Sequence, residues 1–387
     1  MRKRQLVLFC LLIINSLLLT SCWNYREINQ LNIVAGVAID KTKDGDYLIT
    51  METVNMHESS GKESKMKSVL IETKGKTIIE AARNALNTNS PKFYWGHATI
   101  AIISQEVARE GIVGIIDFLS RDAEPRLSID LLVSQRETAK EILSAKTLTA
   151  LIKSSEITDM MDDQKYLSKA LQIQVYDFLK ALSAEGMSAI ATAITTTEIN
   201  GEKVFDLSGT AVFKSDKLLG FLNSDETKCL DFVLDEIKGG ILVVKDGSEE
   251  NDGDEYIALE IHDSSTKVKP IYSDNKLSIQ IDIKTKVALA EYTGKSKFVE
   301  EEGIKSLKKA AEEQLKKEIE SLIKKVQNDF NSDIFGFGNS VYQNLPNVWK
   351  KQGKDWNTLF KDLEVSVTPT IDIHNSGLLR KQIEVGD

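Results

Sequence analysis

Two stretches of the chain state their secondary structure through periodicity alone. In residues 277–289 apolar and polar side chains alternate through most of the run, which predicts a strand with one buried and one wet face. In residues 301–330, Ile304, Leu307, Ala311, Leu315, Ile319, Leu322, Val326 and Phe330 recur every three or four positions and form one apolar helical stripe. Glu301/Lys305, Glu312/Lys316, Glu313/Lys317 and Glu320/Lys324 place acid before base at i,i+4 on the polar side. At 1.5 Å per residue such a helix is roughly 45 Å long. Its stripe fits either a coiled-coil partner or the neighbouring sheet, and the sheet is the stronger reading because it satisfies the stripe within one domain.

The rest of the chain alternates between strand and helix patterns. Buried-type strands are expected at 33–40 and 47–55, joined by the Asp-Gly turn at Asp44–Gly45. Asp40, Asp44 and Asp46 loosely resemble a calcium loop, but Thr42 holds the third position and the twelfth lacks a Glu, which favours the hairpin. A capping box at Thr77–Glu80 opens a helix to about Asn87, and a strand at 98–103, a helix at 105–119 and a strand at 127–133 follow. Ser134–Glu137 reads as a second capping box, and residues 166–182 as a helix stopped by Gly186. Strands are expected at 188–196, 209–214, 241–245, 256–262 and 268–272, with a helix from Ser224–Asp225 to about Ile237. A last strand pair or bent strand falls at 365–373. The fold class is therefore α+β, with mixed sheets flanked by helices. The Asn200–Gly201 turn suggests the main boundary, giving an N-terminal α/β domain at 22–199, a small middle domain at 200–254 and a C-terminal sheet with the long helix at 255–387.

Residues 1–21 stand apart. Arg2, Lys3 and Arg4 precede a short apolar run from Leu6 to Leu19, and the segment ends Leu19-Thr20-Ser21-Cys22. A basic start and an apolar run too short to span a membrane comfortably have the build of a secretory signal. Its last four residues resemble the lipobox of bacterial lipoproteins, which implies cleavage before Cys22 and a lipidated cysteine there, S-diacylglyceryl and N-palmitoyl. An uncleaved anchor, or an ordinary signal with Cys22 incidental, is the alternative. Two acyl chains hold a protein stably on a bilayer where one does not.

Charge and chemistry narrow the function classes. The net charge of −9 includes +3 from Arg2, Lys3 and Arg4, which leaves −12 on the remaining 366 residues. So acidic a body argues against nucleic acid and against adsorption to anionic lipid through the protein surface. Cys10 leaves with the signal and Cys22 goes to lipid, so Cys229 has no disulfide partner and is expected to pack as a small apolar side chain. His57, His97, His262 and His374 are scattered, none at a metal-ligand spacing, and no cofactor is expected. The acidic run at 246–255 reads as solvated, a metal site being the sharper alternative. The sequence displays no nucleophile elbow, phosphate-binding glycine loop or zinc-protease motif, so an enzyme is not expected. One charged cluster is unusual: Arg121-Asp122-Ala123-Glu124-Pro125-Arg126, between a helix and a strand. Its arginines either clasp a carboxylate or partner surface, or cap the preceding helix and pair with their own neighbouring acids, the latter being favoured.

Several segments together resemble the C-subunit lipoproteins of spore germinant receptors, the Ger(x)C family. They are Cys22-Trp23-Asn24-Tyr25-Arg26-Glu27-Ile28, residues 33–40, Tyr94-Trp95-Gly96-His97, residues 117–126, residues 209–214 with Leu218-Leu219-Gly220, and Asp333-Ile334-Phe335-Gly336-Phe337-Gly338 through Trp349 and Trp356. The resemblance implies a three-domain lipoprotein on the extracytoplasmic face of the spore inner membrane, beside integral-membrane A and B receptor subunits and without enzymatic activity. It makes Arg121, Glu124, Arg126 and His97 the candidate contact residues. A solute-binding lipoprotein feeding a transporter is the competing reading. It is disfavoured because such proteins pair two similar α/β lobes, whereas the C-terminal half here is strand-rich with one long helix.

Overall fold

In a computed structural model, residues 2–6, 9, 31–55, 67–87, 92–245, 256–292 and 301–374 are described. β1 (Leu31–Lys41) turns through Gly45, at φ +85°, into β2 (Tyr47–Asn55), and β3 (Lys67–Gly75) completes an antiparallel meander. α1 (Ile78–Asn84) packs back on it, opened by Thr77, whose hydroxyl accepts from Glu80 N. The chain continues as β4 (Lys92–Tyr94), β5 (Ile100–Ile103), α2 (Gln105–Glu110), α3 (Val113–Arg121), β6 (Asp130–Ser134), α4 (Ala139–Leu143), α5 (Lys153–Asp162), α6 (Val175–Ser183), β7 (Ile190–Ile199), β8 (Glu202–Lys214) and β9 (Lys217–Leu222). The sheet runs β3-β2-β1-β5-β6-β7-β8-β9, with β4 beside β1. Its centre, β1, β5, β6 and β7, is parallel.

Parallel strands read as continuous apolar runs because both their faces are covered. One face of this sheet buries Val37, Met51, Ile103, Leu131 and Phe213 under Ile115, Ile116 and Phe178. The other buries Ile100, Ile102, Leu132 and Ile194 under Ile142, Leu143, Ile157 and Met161.

The second half holds α7 (Ser224–Leu234), β10 (Ile241–Lys245), β11 (Tyr256–Ser273), β12 (Lys276–Tyr292), α8 (Glu301–Lys325), α9 (Phe337–Asn344), α10 (Pro346–Gln352), α11 (Trp356–Lys361) and β13 (Glu364–His374). Its sheet is ordered β10-β11-β12-β13, with β13 parallel to β12. β12 shows the expected alternation: Leu277, Ile279, Ile281, Ile283, Thr285 and Val287 are buried and the residues between them are not. α8 lies on this sheet, burying Leu307, Ala311, Leu315, Ile319 and Leu322 against it, with Val326 buried in the π-helical turn Val326–Phe330 that continues it, while Ile304 stays 38% exposed. The sheet edges are occupied by side chains: Gln314 Nε2 donates to Val243 O, Lys228 Nζ to Ile241 O, and Glu312 Oε1 accepts from Ile371 N. Such cover blunts an edge that would otherwise template pairing with another chain.

Several elements differ from the sequence pattern, each for a local reason. The 105–119 helix is two helices, broken at Gly111, which takes φ +129°. Ser134 stays in β6, its hydroxyl accepting from Arg136 N, and the helix after it is capped by Thr138 accepting from Glu141 N. Helix in 166–182 is confined to α6, because Gln164 Oε1 accepts from Lys169 N and Ala170 N and holds the preceding segment out of helical register. α7 is capped one residue earlier than expected, by Asn223 in a reciprocal box with Glu226. Strands 256–262 and 268–272 are one strand, β11, with a bulge between Ile261 and Asp263, and the last strand is single. Among the described residues of α8, Lys308–Glu312, Lys309–Glu313 and Lys316–Glu320 pair lysine first, at 3.8–3.9 Å. Asn200–Gly201 joins β7 to β8 as an antiparallel pair, so the chain passes this turn without leaving the larger sheet. His57, the 246–255 run and Cys22 lie outside the described residues.

Candidate functional surface

Two of the segments that carried the resemblance, 94–97 and 117–126, come together at one end of the larger sheet. β4 places Tyr94-Trp95-Gly96-His97 just before β5, and α3 delivers Arg121–Arg126 just before β6. Because β5 and β6 are parallel neighbours, their leading loops are neighbours too. Trp95 is buried and meets Phe118 of α3 edge-on, with ring centroids 5.9 Å apart. The Tyr94 ring lies over the bare backbone of Gly96, where a Cβ would come within 2.5 Å of its hydroxyl oxygen.

Glu124 bridges the two loops. Its carboxylate accepts from Trp95 N at 3.4 Å and pairs with Lys92. Asp122 Oδ1 accepts from Glu124 N at 3.0 Å, an Asx-type turn that aims the glutamate. Arg121 turns back to its own helix, Nε donating to Asp117 Oδ1 at 2.6 Å, and the hydrogen-bonded carboxylate raises the pKa of this exposed guanidinium. Arg126 is exposed and makes no ion pair among the described residues. His97 is exposed, its ring 5.6 Å from that of Tyr94. Of the four candidates, Glu124 is thus built into the loop junction and Arg121 into a helix pair, while Arg126 and His97 face outward.

Buried carboxylates capping distant helices are what the sequence reading missed. Asp40 of β1 accepts from Ala139 N and Lys140 N at the start of α4, which is why it sits in no cation loop. Burial pushes its pKa up against those bonds. Glu52 of β2 does the same for α5, accepting from Lys153 N and from Ser154 N and Oγ. The positive end of the helix dipole favours a negative charge there. Glu156 accepts from Leu148 N, Thr149 N and Ala150 N; burial opposes its charge, but those bonds prevail and hold its pKa below the ordinary value. Only the odd polar residue in an apolar strand signals such a role.

Asp333, in the Asp-Ile-Phe-Gly-Phe-Gly segment, is buried where the two halves meet. Oδ1 accepts from Phe337 N at 3.2 Å, and Oδ2 from Gly338 N at 2.8 Å and Trp356 Nε1 at 2.9 Å. Burial outweighs these donors and raises its pKa to about 6. The same turn ties the halves together: Ser188 N donates to Asp333 O, Ser332 Oγ to Phe213 O and Asn339 N to Gly186 O. A cleft of about 540 Å³ opens beside it, bordered by Met187, Lys214, Trp349 and Trp356. Asp130 at the start of β6 is likewise pushed to about 6, by burial, although Gln172 donates to it. Cys229 is buried, and burial pushes its thiol up to about 12, out of the range of a reactive thiolate. Among the described residues no three His, Cys, Asp or Glu side chains form a metal-binding group, and no helix is long and apolar enough to cross a membrane.

The fold is thus mixed α+β with two sheets, and its sequence-marked charged loops pair at one end of the larger one. Two family models together span most of the chain: residues 24–196 match the spore germination protein N-terminal domain, and residues 208–377 match the C-terminal domain of the spore germination B3/GerAC-like proteins. The chain belongs to this germinant-receptor C-subunit family. Spore germination protein B3 of Bacillus subtilis (strain 168) is 25% identical over 370 residues, covering 94% of this chain and 96% of that protein. Spore germination protein KC of the same organism is 22% identical, covering 98% of each. The crystal structure of the GerBC protein shares the fold, with a TM-score of 0.58 and 23% identity over 90% of this chain and all of that one.

Proposed function

We propose that this chain is a non-catalytic, lipid-anchored subunit of a nutrient germinant receptor, held on the extracytoplasmic face of the spore inner membrane through Cys22. Its partners in this reading are the integral-membrane A and B subunits, with no cofactor and no nucleic acid. The observation that carries the reading is length: the chain is collinear with spore germination proteins over 94–98% of its residues, so it has the whole of their architecture rather than one shared domain. The acidic body supports a lipid anchor, because its own surface charge offers anionic lipid no attraction.

The test replaces Cys22 with Ala in sporulating cells. Wild-type protein should carry a diacylglyceryl mass and sediment with the inner membrane, and the variant should lose both while its body stays folded. Deleting the gene should abolish germination by one class of nutrient and leave germination by non-nutrient triggers intact. A free Cys22 thiol in mature protein, or unaltered nutrient germination in the deletion, overturns the reading.

A further inference from the structure

We propose that the end of the larger sheet bearing Arg126, Leu127 and Tyr176 faces the bilayer, and that these three side chains touch the lipid headgroup region. The inference rests on the Cys22 anchor proposed above and adds an orientation and a contact surface to it. Eight residues, 23–30, separate Cys22 from Leu31 at the start of β1. Fully extended, that connection spans about 30 Å. Leu31 pairs with Lys92 of β4, and β5 and β6 begin at the same end: Thr99 N donates to Ala35 O and Asp130 N to Thr99 O, both at 2.8 Å. The tether therefore enters beside the loops 95–99 and 121–129. The opposite end of β1, at the Lys43–Asp46 turn, is farther from the entry point by the length of an 11-residue strand, about 35 Å.

The surface at the near end has the chemistry of a membrane interface. Tyr176 N donates to Leu127 O at 3.0 Å, which seats the start of α6 against the loop. Leu127 is 38% exposed and Tyr176 55%. Lys92 and Arg121 at this end are neutralised by Glu124 and Asp117, whereas the Arg126 guanidinium has no ion-pair partner among the described residues. Asp177, next to Tyr176, is turned into its own helix start, where Oδ2 accepts from Gln174 N at 3.1 Å. Asp122 is likewise bound back into the loop, accepting from Glu124 N, so among the described residues Arg126 is the unpaired cation presented here, with Leu127 next in sequence and Tyr176 tied to Leu127 through its backbone. Tyrosine rings sit at headgroup depth, and arginine reaches phosphate while its stem lies along apolar surface. Pro125 fixes the backbone that presents them. On a body of net −12 this patch sets orientation, and the acyl chains supply affinity.

The test couples the chain from Cys22 onward, through the Cys22 thiol, to a maleimide phospholipid in vesicles of phosphatidylglycerol and phosphatidylethanolamine. Cys229, 6% exposed, does not compete. Photoreactive benzoylphenylalanine replaces Tyr176 or, as control, Lys43, and lipid adducts are counted by mass spectrometry. The adduct yield at 176 should exceed that at 43 at least five-fold, and Arg126→Glu should lower it several-fold while leaving the circular dichroism of the protein unchanged. Equal yields at the two positions, or no response to Arg126→Glu, overturn the proposal. So does cross-linking of position 176 to a polypeptide instead of lipid in spore membranes. Because the lipid is attached chemically, the outcome is independent of whether the cell lipidates Cys22, which the mass of the native protein decides alone.

Discussion

Asp333 makes the stability of the protein depend on pH in a direction opposite to that of a typical paired carboxylate. Its folded pKa of about 6 lies above the ordinary 3.8 because burial opposes the charge more than Phe337 N, Gly338 N and Trp356 Nε1 favour it. Between those two values the native state holds a proton that the unfolded chain has released. The contribution is therefore fully present below pH 3.8 and is lost as pH rises through about 6. A shift of about two pH units corresponds to about 3 kcal/mol in total, of which about 2 kcal/mol remains at pH 4.5. Asp333→Asn removes the titration and turns one oxygen into a donor facing amide N–H groups, a loss of about 1–3 kcal/mol. The substitution should thus cost about 2 kcal/mol more at pH 4.5 than at pH 8. Urea unfolding of both proteins at the two pH values, followed by tryptophan fluorescence, measures this directly, since every other titrating group cancels in the comparison. A cost that grows toward pH 8 would show that the three donors stabilise the carboxylate, and would refute the reasoning.

Leu315→Asp places a charge on the buried stripe of α8, where Leu315 is 2% exposed, and should lower stability by about 3–5 kcal/mol in thermal unfolding of the isolated protein. Gly338→Ala should loosen the junction between the halves, since its Cβ would lie 2.6 Å from Gly186 O and from the Trp356 ring; limited proteolysis near residues 185–188 should accelerate. Arg121→Ala should leave the melting temperature unchanged, because the guanidinium and Asp117 are both exposed, and co-purification of the other receptor subunits should also be unaffected. Glu124→Ala should lower the melting temperature by a few degrees, since it frees Trp95 N and Lys92 together.

What the sequence made legible follows from where the determinants lie. The alternation in β12 and the stripe of α8 are local, and both were read directly. The 166–182 segment misled because Leu167 and Leu171 have helical spacing. Ser168 adopts φ +51° and donates to Gly239 O, a partner 71 residues away that no local pattern contains. The Ser134 box failed for a similar reason: Ser134 is buried within β6, between β5 and β7, and a serine inside a sheet cannot open a helix. Of the candidate residues, Arg121 pairs with Asp117 one turn back on its own helix rather than with Asp122 or Glu124, which stand beside it in sequence. The bridge from Glu124 to Trp95 depends on two parallel strands lying side by side, and the carboxylates Asp40 and Glu52 act on helices about 100 residues further along the chain.

The parallel pairing of β13 with β12 has a consequence for how the chain folds. Ser278 lies opposite Glu364, so the second sheet closes only when a strand that begins 86 residues further along the chain joins it. Contacts that distant in sequence form late, because the intervening loop must be ordered first. Until β13 docks, β12 presents an unpaired edge, which is a template for pairing with another chain. The rate of that last pairing therefore sets how long the edge stays open, and a change that slows it exposes the C-terminal half to aggregation rather than to mere delay.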